Sequence, residues 1–531
     1  MLSLVLLGAV LRLWQWAGGG SLWLDEIAVA RNIDALSTLE LMTGPLAFDQ
    51  VAPAGFLAAV KFSTIAFGSS ERALWLFPLI CGLASLFVFR ALAERMLRGV
   101  AVPLAMGLFA IALPLIRYSG EVKQYGIDAL ATAALTLIAF DLRAAPRTTG
   151  RLILAGLAGV VVIWFSHASA MVMPGLGAGL AVAWLLDRDR ATARALLITM
   201  PLWAIGSLTA LVVAERSMTA STRAFMHDFW RGGFLPLPPR PATALPWLWE
   251  RITGLYGDPW TLQYPLAWVY VLLAALGIAV LWRQRRDAAL LTAGPFVLTL
   301  LVSAAQEYPF RQRLIVFLVP PALIAVAAGA GWLIALAARF NKVAAVAVAM
   351  LAIAAPVWAI VEARLPARVD NYLPAYAYLQ AHRQPGDDVY VSWLATSSAI
   401  YYGPRYGLAR NEFQVGACDR NDTRAYLRDA DRFRGRKRVW VLMKNGPAIR
   451  VPNGAVRSYF ETIGVRRDVL TVRSAVTDPL TLELFDLSDP ARLRLASAET
   501  FPVAPMPEYP KPGCRDWRGD ARAVAMSARR P

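Results

Sequence analysis

Cysteine and histidine are scarce in this chain, with three of each among 531 residues. No C-x-x-C pair and no His-rich cluster occurs, so nothing in the pattern suggests zinc. Cys81 lies inside an apolar run and is expected to be a small buried hydrophobe. Acidic residues are outnumbered, 37 against 54 Lys and Arg, which gives a formal net charge of +17. That excess does not point to nucleic acid, because the basic residues are not gathered in a soluble module with stacking aromatics. Internal repeats and low-complexity tracts are missing. A cleavable leader is not expected either: no basic region precedes Leu2 and no A-x-A site follows the first apolar run.

What the chain has is apolar length. Hydrophobic residues make up 57%, and mean hydropathy is +0.46. That excludes an ordinary soluble protein of this size and predicts a polytopic α-helical membrane protein. Eleven runs suit a bilayer: 2–16, 72–90, 100–117, 122–141, 152–165, 168–186, 195–214, 262–281, 288–305, 314–338 and 343–361. The first and fifth are short against the roughly 20 residues a span needs. Loops after alternate spans carry Arg95 and Arg98, then Arg143, Arg147 and Arg151, then Arg188, Arg190 and Arg194, then Arg283, Arg285 and Arg286, then Arg339 and Lys342. Positive charge favours the cytoplasmic side. These loops and the N-terminus are therefore expected inside, and the intervening loops outside.

The expected domains are a membrane domain over 1–362, with outer loops 17–71 and 215–261, and an outer α/β domain over 363–531. The loop 17–71 contains patterned stretches at 26–42 and 52–67 that read as interfacial helices. The loop 215–261, rich in Pro, Trp and Gly, reads as an ordered non-helical segment or lid. In the last third, 389–393, 438–443 and 480–485 read as strands, and 372–382 and 423–433 as helices. Cys418 and Cys514 both fall there, in a compartment that permits a disulfide, and are the candidate pair.

Chemistry-bearing residues recur at the outer ends of spans. Asp25-Glu26 follows the first run, and Asp49 lies in the same loop. Arg117-Tyr118-Ser119-Gly120-Glu121-Val122-Lys123-Gln124-Tyr125 forms the turn between the third and fourth runs. His167 sits between the fifth and sixth, and Arg311 and Arg313 precede the tenth. Each has a bland reading. Asp25 can act as an N-cap with Glu26 favoured by the helix dipole. Lys123 can pair with Glu121 across the turn, His167 can be a satisfied interfacial residue, and the arginines can snorkel to headgroups. Together they fit a group transfer in which a carboxylate acts as base on an acceptor while Arg and Lys stabilise a departing phosphate.

Leu11-Arg12, Leu22-Trp23-Leu24-Asp25-Glu26, Asp49-x-x-Ala52-Pro53 and the stretch from Arg117 to Gly126 resemble the bacterial GT-C glycosyltransferases, in particular the protein mannosyltransferase and aminoarabinose transferase-like group. Phe165-Ser166-His167 and Phe310-Arg311-Gln312-Arg313 are similar to that group as well. The resemblance implies a GT-C fold in a bacterial inner membrane, with the active site and C-terminal domain facing the periplasm. It implies inverting transfer from a polyprenyl-phosphate sugar to a glycan, lipid or protein acceptor, with membrane lipids around the site. On it, Asp25 is the base and Glu26 its support. Asp49, Glu121, Lys123, Tyr125, His167, Arg311 and Arg313 are the donor- and substrate-binding residues. Some GT-C enzymes use a divalent metal, which Asp25, Glu26 and Asp49 are of a type to hold. The chain departs from the pattern at Val51-Ala52-Pro53, where relatives carry His-Pro-Pro or Lys-Pro-Pro. The missing lysine argues against transfer of aminoarabinose to lipid A. A transporter or flippase of lipid-linked sugars is the alternative. It predicts charges inside spans and an internal repeat.

Overall fold

Long apolar runs become helices in a bilayer because no water is present to satisfy the backbone, which must bond to itself. The computed structural model describes residues 1–144, 148–418, 422–446, 450–474 and 476–505. Each of the eleven expected runs falls mostly in helix, with 100–117 broken at Ile111-Ala112 and 262–281 helical only from Ala267. Among the described residues only eight helices are long and apolar enough to cross a membrane: Leu76–Met96, Tyr125–Arg143, Ser169–Asp187, Arg190–Glu215, Ala267–Gln284, Arg286–Ala304, Gln312–Phe340 and Lys342–Ala363. Ala101–Ala110 and Leu113–Gly120, bent by 48°, make a ninth if taken as one span. The count of eleven is therefore not reached. Leu2–Ala17 and Thr149–Val162 have only 16 and 14 residues. At about 1.5 Å per residue they fall short of a roughly 30 Å hydrocarbon core.

The chain divides into two units. The first comprises Met1–Gly19, Leu36–Pro45 and Val51–Pro366. Its central element is Gln312–Phe340, 94% buried over its most apolar stretch, whereas Lys342–Ala363 is only 28% buried. Small residues let the helices approach closely. A Cβ on Gly277 would collide with the Ala325 carbonyl, and one on Gly329 with that of Leu273.

The bend in the third expected span has a local cause. Pro114 has no N–H and cannot bond back to Ala110. Arg12, fully buried, supplies the missing donor. Its Nη1 donates to the carbonyls of Gly8 at 3.0 Å and Ala110 at 3.2 Å, and its Nη2 to that of Phe109 at 3.5 Å.

The segment 215–261 is not the non-helical lid that its Pro and Gly content suggests. It forms helices Ala220–Trp230 and Pro241–Gly257. Thr219 caps the first through the Thr222 N–H, and Pro241 opens the second, where its missing N–H has no partner to lose. The stretch between them, with Phe234-Leu235-Pro236, and residues 258–261 stay irregular.

The second unit comprises Gly20–Ala35, Leu46–Gln50 and the chain from Ala367 onward. It is built on a mixed sheet of β1 (Asp388–Val391), β2 (Gln414–Val415), β3 (Val439–Lys444), β4 (Val465–Val472) and β5 (Leu480–Asp486), in the order β2-β1-β3-β5-β4. β1 is parallel to β2 and β3; β5 is antiparallel to β3 and β4. Helices Thr423–Asp431 and Arg450–Ile463 bury Tyr426, Val456, Tyr459 and Phe460 against Val439, Val441 and Phe485. The helix Leu24–Ala35 belongs here. The Leu22 N–H donates to the Tyr402 hydroxyl at 2.7 Å, and the Ser21 N–H to Asn371 Oδ1 at 3.2 Å. The segment 17–71 is thus divided between the two units.

Candidate functional site

The acidic candidates of the segment 17–71, Asp25, Glu26 and Asp49, lie in the second unit. Asp25 and Glu26 occupy the first turn of Leu24–Ala35, where the helix dipole favours negative charge. Asp25 is not the N-cap expected from the sequence. Trp23 precedes the helix and accepts the Ile27 N–H through its carbonyl, and Glu26 Oε2 accepts the Trp23 N–H at 3.2 Å. That is the backward half of a capping box. Glu26 therefore has a structural task, and Asp25, 9% exposed, is the better placed of the two for chemistry.

Asp49 is strapped to the same helix by Asn32. The Asn32 Oδ1 accepts the Ala47 N–H at 2.8 Å, and its Nδ2 donates to the carbonyls of Ala28 at 2.7 Å and Ala47 at 3.2 Å. Phe48 and Asp49 take positive φ values of 62° and 51°, and the Arg31 guanidinium covers the Phe48 ring at 4.3 Å. A positive φ is uncommon for any residue but glycine and marks a constrained turn. Among the described residues, no three His, Cys, Asp or Glu side chains form a group able to hold a metal ion.

The basic candidates lie in the first unit. Helix Leu113–Arg117 runs into a 3-10 turn, Tyr118–Gly120, and this brings Arg117 over Glu121 one turn later. Their ion pair, 3.3 Å long, is buried, with side chains 1% and 3% exposed. Glu121 thus pairs with Arg117. The Lys123 backbone N–H donates to the Glu121 carbonyl at 2.8 Å, and Lys123 is itself buried. Arg117 also donates to the Pro259 carbonyl at 2.9 Å, the Tyr118 hydroxyl at 2.9 Å and the Trp260 carbonyl at 3.3 Å.

Arg313 joins this group from the start of the central helix. Its Nε donates to the Tyr125 hydroxyl at 3.2 Å, and its guanidinium lies 4.9 Å from the Trp260 ring centroid and 5.1 Å from that of Trp230. Tyr118 and Tyr125 pack with centroids 5.0 Å apart. The result is a pair of arginines held against indole and phenol faces, a setting that keeps a guanidinium charged and oriented while much of its water is removed. Such a group recognises a phosphoryl oxygen.

Arg311, two residues earlier, faces elsewhere. It lines a cavity of about 280 Å³ with Glu250, Arg251, Asp258 and Phe310. His167 lies between Thr149–Val162 and Ser169–Asp187, partly buried. Burial pushes its pKa down to about 4, so its ring is neutral at neutral pH and adds no positive charge for a phosphate. Cys418 is disulfide-bonded and Cys81 is free and buried; Cys514 lies outside the described residues. Sequence reasoning missed Trp230, Trp260 and Arg251. The density of Trp in 215–261 was the available signal.

No protein-family model matches the sequence, and no curated protein matches it. Solved structures with a similar chain trace include ArnT from Cupriavidus metallidurans bound to undecaprenyl phosphate. It is 12% identical, with 91% of this chain and 97% of that one covered, at a TM-score of 0.47. Another is the oligosaccharyltransferase AglB from Archaeoglobus fulgidus with an inhibitory peptide and a dolichol-phosphate, 11% identical over 88% of this chain and 72% of that one, at 0.48. A third is the Archaeoglobus fulgidus oligosaccharyltransferase with Zn and sulfate, 13% identical over 74% of this chain, at 0.46; this chain spans 60% of its length. Identities this low assign neither substrate nor residue roles to the present chain.

Proposed function

We propose that this protein is an integral-membrane glycosyltransferase of the GT-C type that transfers a sugar from a polyprenyl-phosphate donor to an acceptor outside the cytoplasm. The observation that carries the reading is the seat of Arg313, a guanidinium held by Tyr125 and two indole faces at the head of a central membrane helix. Arg313 and Lys123 stabilise the phosphate, as the departing group gains charge in the transition state. Asp25 removes the proton of the acceptor hydroxyl or amine as the acceptor atom attacks the anomeric carbon. The bond from that carbon to the phosphate oxygen breaks, its electrons leave with the polyprenyl phosphate, and the anomeric centre inverts. Glu26 holds the helix turn that presents Asp25, and Asp49 and His167 contribute to substrate binding as neighbours in their own units. The motifs that resemble the GT-C group supply the same assignment of roles.

The transporter reading finds support in one residue. Asp128 is a buried carboxylate within the span Tyr125–Arg143, and intramembrane charges often mark pathways. Arg12, also buried within a helix, is bonded to carbonyls and needs no pathway to explain it.

The deciding experiment uses the purified chain in lipid nanodiscs with radiolabelled polyprenyl-phosphate sugars and measures release of polyprenyl phosphate. Asp25→Asn should lower turnover by about 100-fold to 10,000-fold, the usual worth of a general base. Arg313→Ala should weaken binding of undecaprenyl phosphate itself. Wild-type turnover in Asp25→Asn would remove Asp25 as base. Movement of intact lipid-linked sugar across vesicles with no release of polyprenyl phosphate would favour transport.

A further inference from the structure

The cavity that holds Arg311 contains chemistry that the transfer reaction does not use. It is walled by the second half of helix Pro241–Gly257, by Ala267 at the start of the span Ala267–Gln284, and by Phe310 and Arg311 just before the span Gln312–Phe340. It therefore opens where two spans begin. Trp249 and Trp268 are about half exposed, at 52% and 49%, and Leu245 and Leu266 are exposed on the same elements. Exposed Trp at span ends belongs to the membrane–water interface.

Two cations and two anions line the cavity, Arg251, Arg311, Glu250 and Asp258, of which Glu250 is largely exposed. Arg251 is 9% exposed, pairs with Glu250, and leaves its buried Nε without a hydrogen-bond partner. The Arg311 guanidinium makes no hydrogen bond or ion pair among the described residues. Burial, and Arg251 as a like charge, hold its pKa below the usual guanidinium value, while Asp258 and Glu250 pull the other way. Asp258 accepts the Trp260 N–H through Oδ1 at 2.8 Å. Two guanidiniums held close together in a partly desolvated recess are stabilised by an anion between them. Two carboxylates beside them make a purely anionic occupant unfavourable. The volume of about 280 Å³ lies just under the roughly 300 Å³ at which pockets for drug-sized ligands begin, so it suits a headgroup rather than a whole lipid.

We infer that this cavity seats the headgroup of a phospholipid carrying both a phosphate and a primary ammonium, the phosphate on Arg311 and Arg251 and the ammonium on Asp258 and Glu250. Phosphatidylethanolamine has that chemistry. Phosphatidylcholine has no N–H to donate, and phosphatidylglycerol has no cation. The site stands apart from the sugar-transfer reading, and its test does not use activity.

The test is lipid retention by the full-length protein, delipidated in detergent and titrated separately with phosphatidylethanolamine, phosphatidylcholine, phosphatidylglycerol, glycerophosphoethanolamine and inorganic phosphate. Bound molecules are counted by native mass spectrometry. Phosphatidylethanolamine should bind about tenfold or more tighter than the other two lipids, a difference of one charge-assisted hydrogen bond. Glycerophosphoethanolamine should compete with it where inorganic phosphate does not. Arg311→Gln should abolish the preferred site, and Asp258→Asn should erase the preference over phosphatidylglycerol. An Asn at 258 can still accept the Trp260 N–H, so that variant decides the matter if Arg311→Gln fails to fold. Equal binding of phosphatidylglycerol to the wild type, displacement by inorganic phosphate alone, or an unchanged preference in Asp258→Asn would each overturn the assignment.

Discussion

The two units bury charge by different means. In the first, Arg12 is satisfied by backbone carbonyls at a helix break, and Arg117 and Arg313 lie against Tyr and Trp faces. In the second, buried charges meet opposite charges inside hydrogen-bond networks. Lys444 Nζ lies 2.5 Å from Asp370, with Thr477 and the Asp478 carbonyl completing its shell, and Arg457 lies 2.5 Å from Glu483. Burial raises the Asp370 pKa, and Lys444 opposes that rise. The second unit thus cancels buried charge between side chains, while the first surrounds its arginines with carbonyls and ring faces, in addition to the ion pair of Arg117 with Glu121.

The sharpest way to break this comparison is to remove one cation from each unit. Arg117→Met and Lys444→Met should each cost about 3–5 kcal/mol, because each leaves a buried carboxylate behind. The double variants should then diverge. Lys444→Met with Asp370→Leu should recover most of the loss, as an ion pair replaced by apolar groups often does. Arg117→Met with Glu121→Leu should not, because the carbonyl of Pro259 loses its Arg117 donor while that of Trp260 keeps only the Tyr118 hydroxyl. Unfolding free energies in mixed micelles test both, and equal recovery in the two units would erase the distinction.

A smaller effect is expected from Trp260→Ala, which removes a ring face from Arg117 and Arg313 at once and should cost about 2 kcal/mol. The same variant should weaken undecaprenyl phosphate binding; unchanged binding would detach the aromatic seat from phosphate recognition. Arg12→Leu should cost about 1–3 kcal/mol through unsatisfied carbonyls at the Pro114 break, read in the same unfolding experiment.

A last effect is one of pH. His167 titrates at about 4 in the fold against 6.5 ordinarily. The unfolded chain takes up this proton first, so the contribution of His167 to stability is complete above pH 6.5 and is lost as pH falls toward 4. His167→Gln should flatten that part of the stability–pH curve, and an unaltered slope would show that another group sets it.

The spans were legible as positions because apolar length speaks directly of helix in lipid. Their number was not, since 2–16 and 152–165 form helices too short to be counted by length. Strands β1, β3 and β5 showed in β-branched apolar runs. β4 did not, because Arg466, Arg467 and Asp468 interrupt its pattern, and β2 has only two residues. The helices in 215–261 were hidden by Pro236, Pro238 and Pro239 between them, by Pro241 at the start of the second and by Pro246 inside it. At the candidate site, Tyr125 and Arg313 are 188 residues apart and meet at 3.2 Å. No local pattern announces such a contact.

By itself the sequence determined that the chain would be a helical membrane protein with a sheet-bearing C-terminal region, because hydrophobicity and its period are local properties of the chain. It also marked the charged segments at the ends of the spans. The tertiary structure decided which of those charges keep company. It bound Glu26 to a helix cap, turned Glu121 toward Arg117, set Arg313 among indole rings and sent Arg311 into a different cavity. It also placed the helix of Asp25 in the unit built largely from the C-terminal third, whose nearest segment begins over 300 residues later. Burial and orientation depend on neighbours that are remote in the chain, and those two quantities give a charged side chain its chemistry.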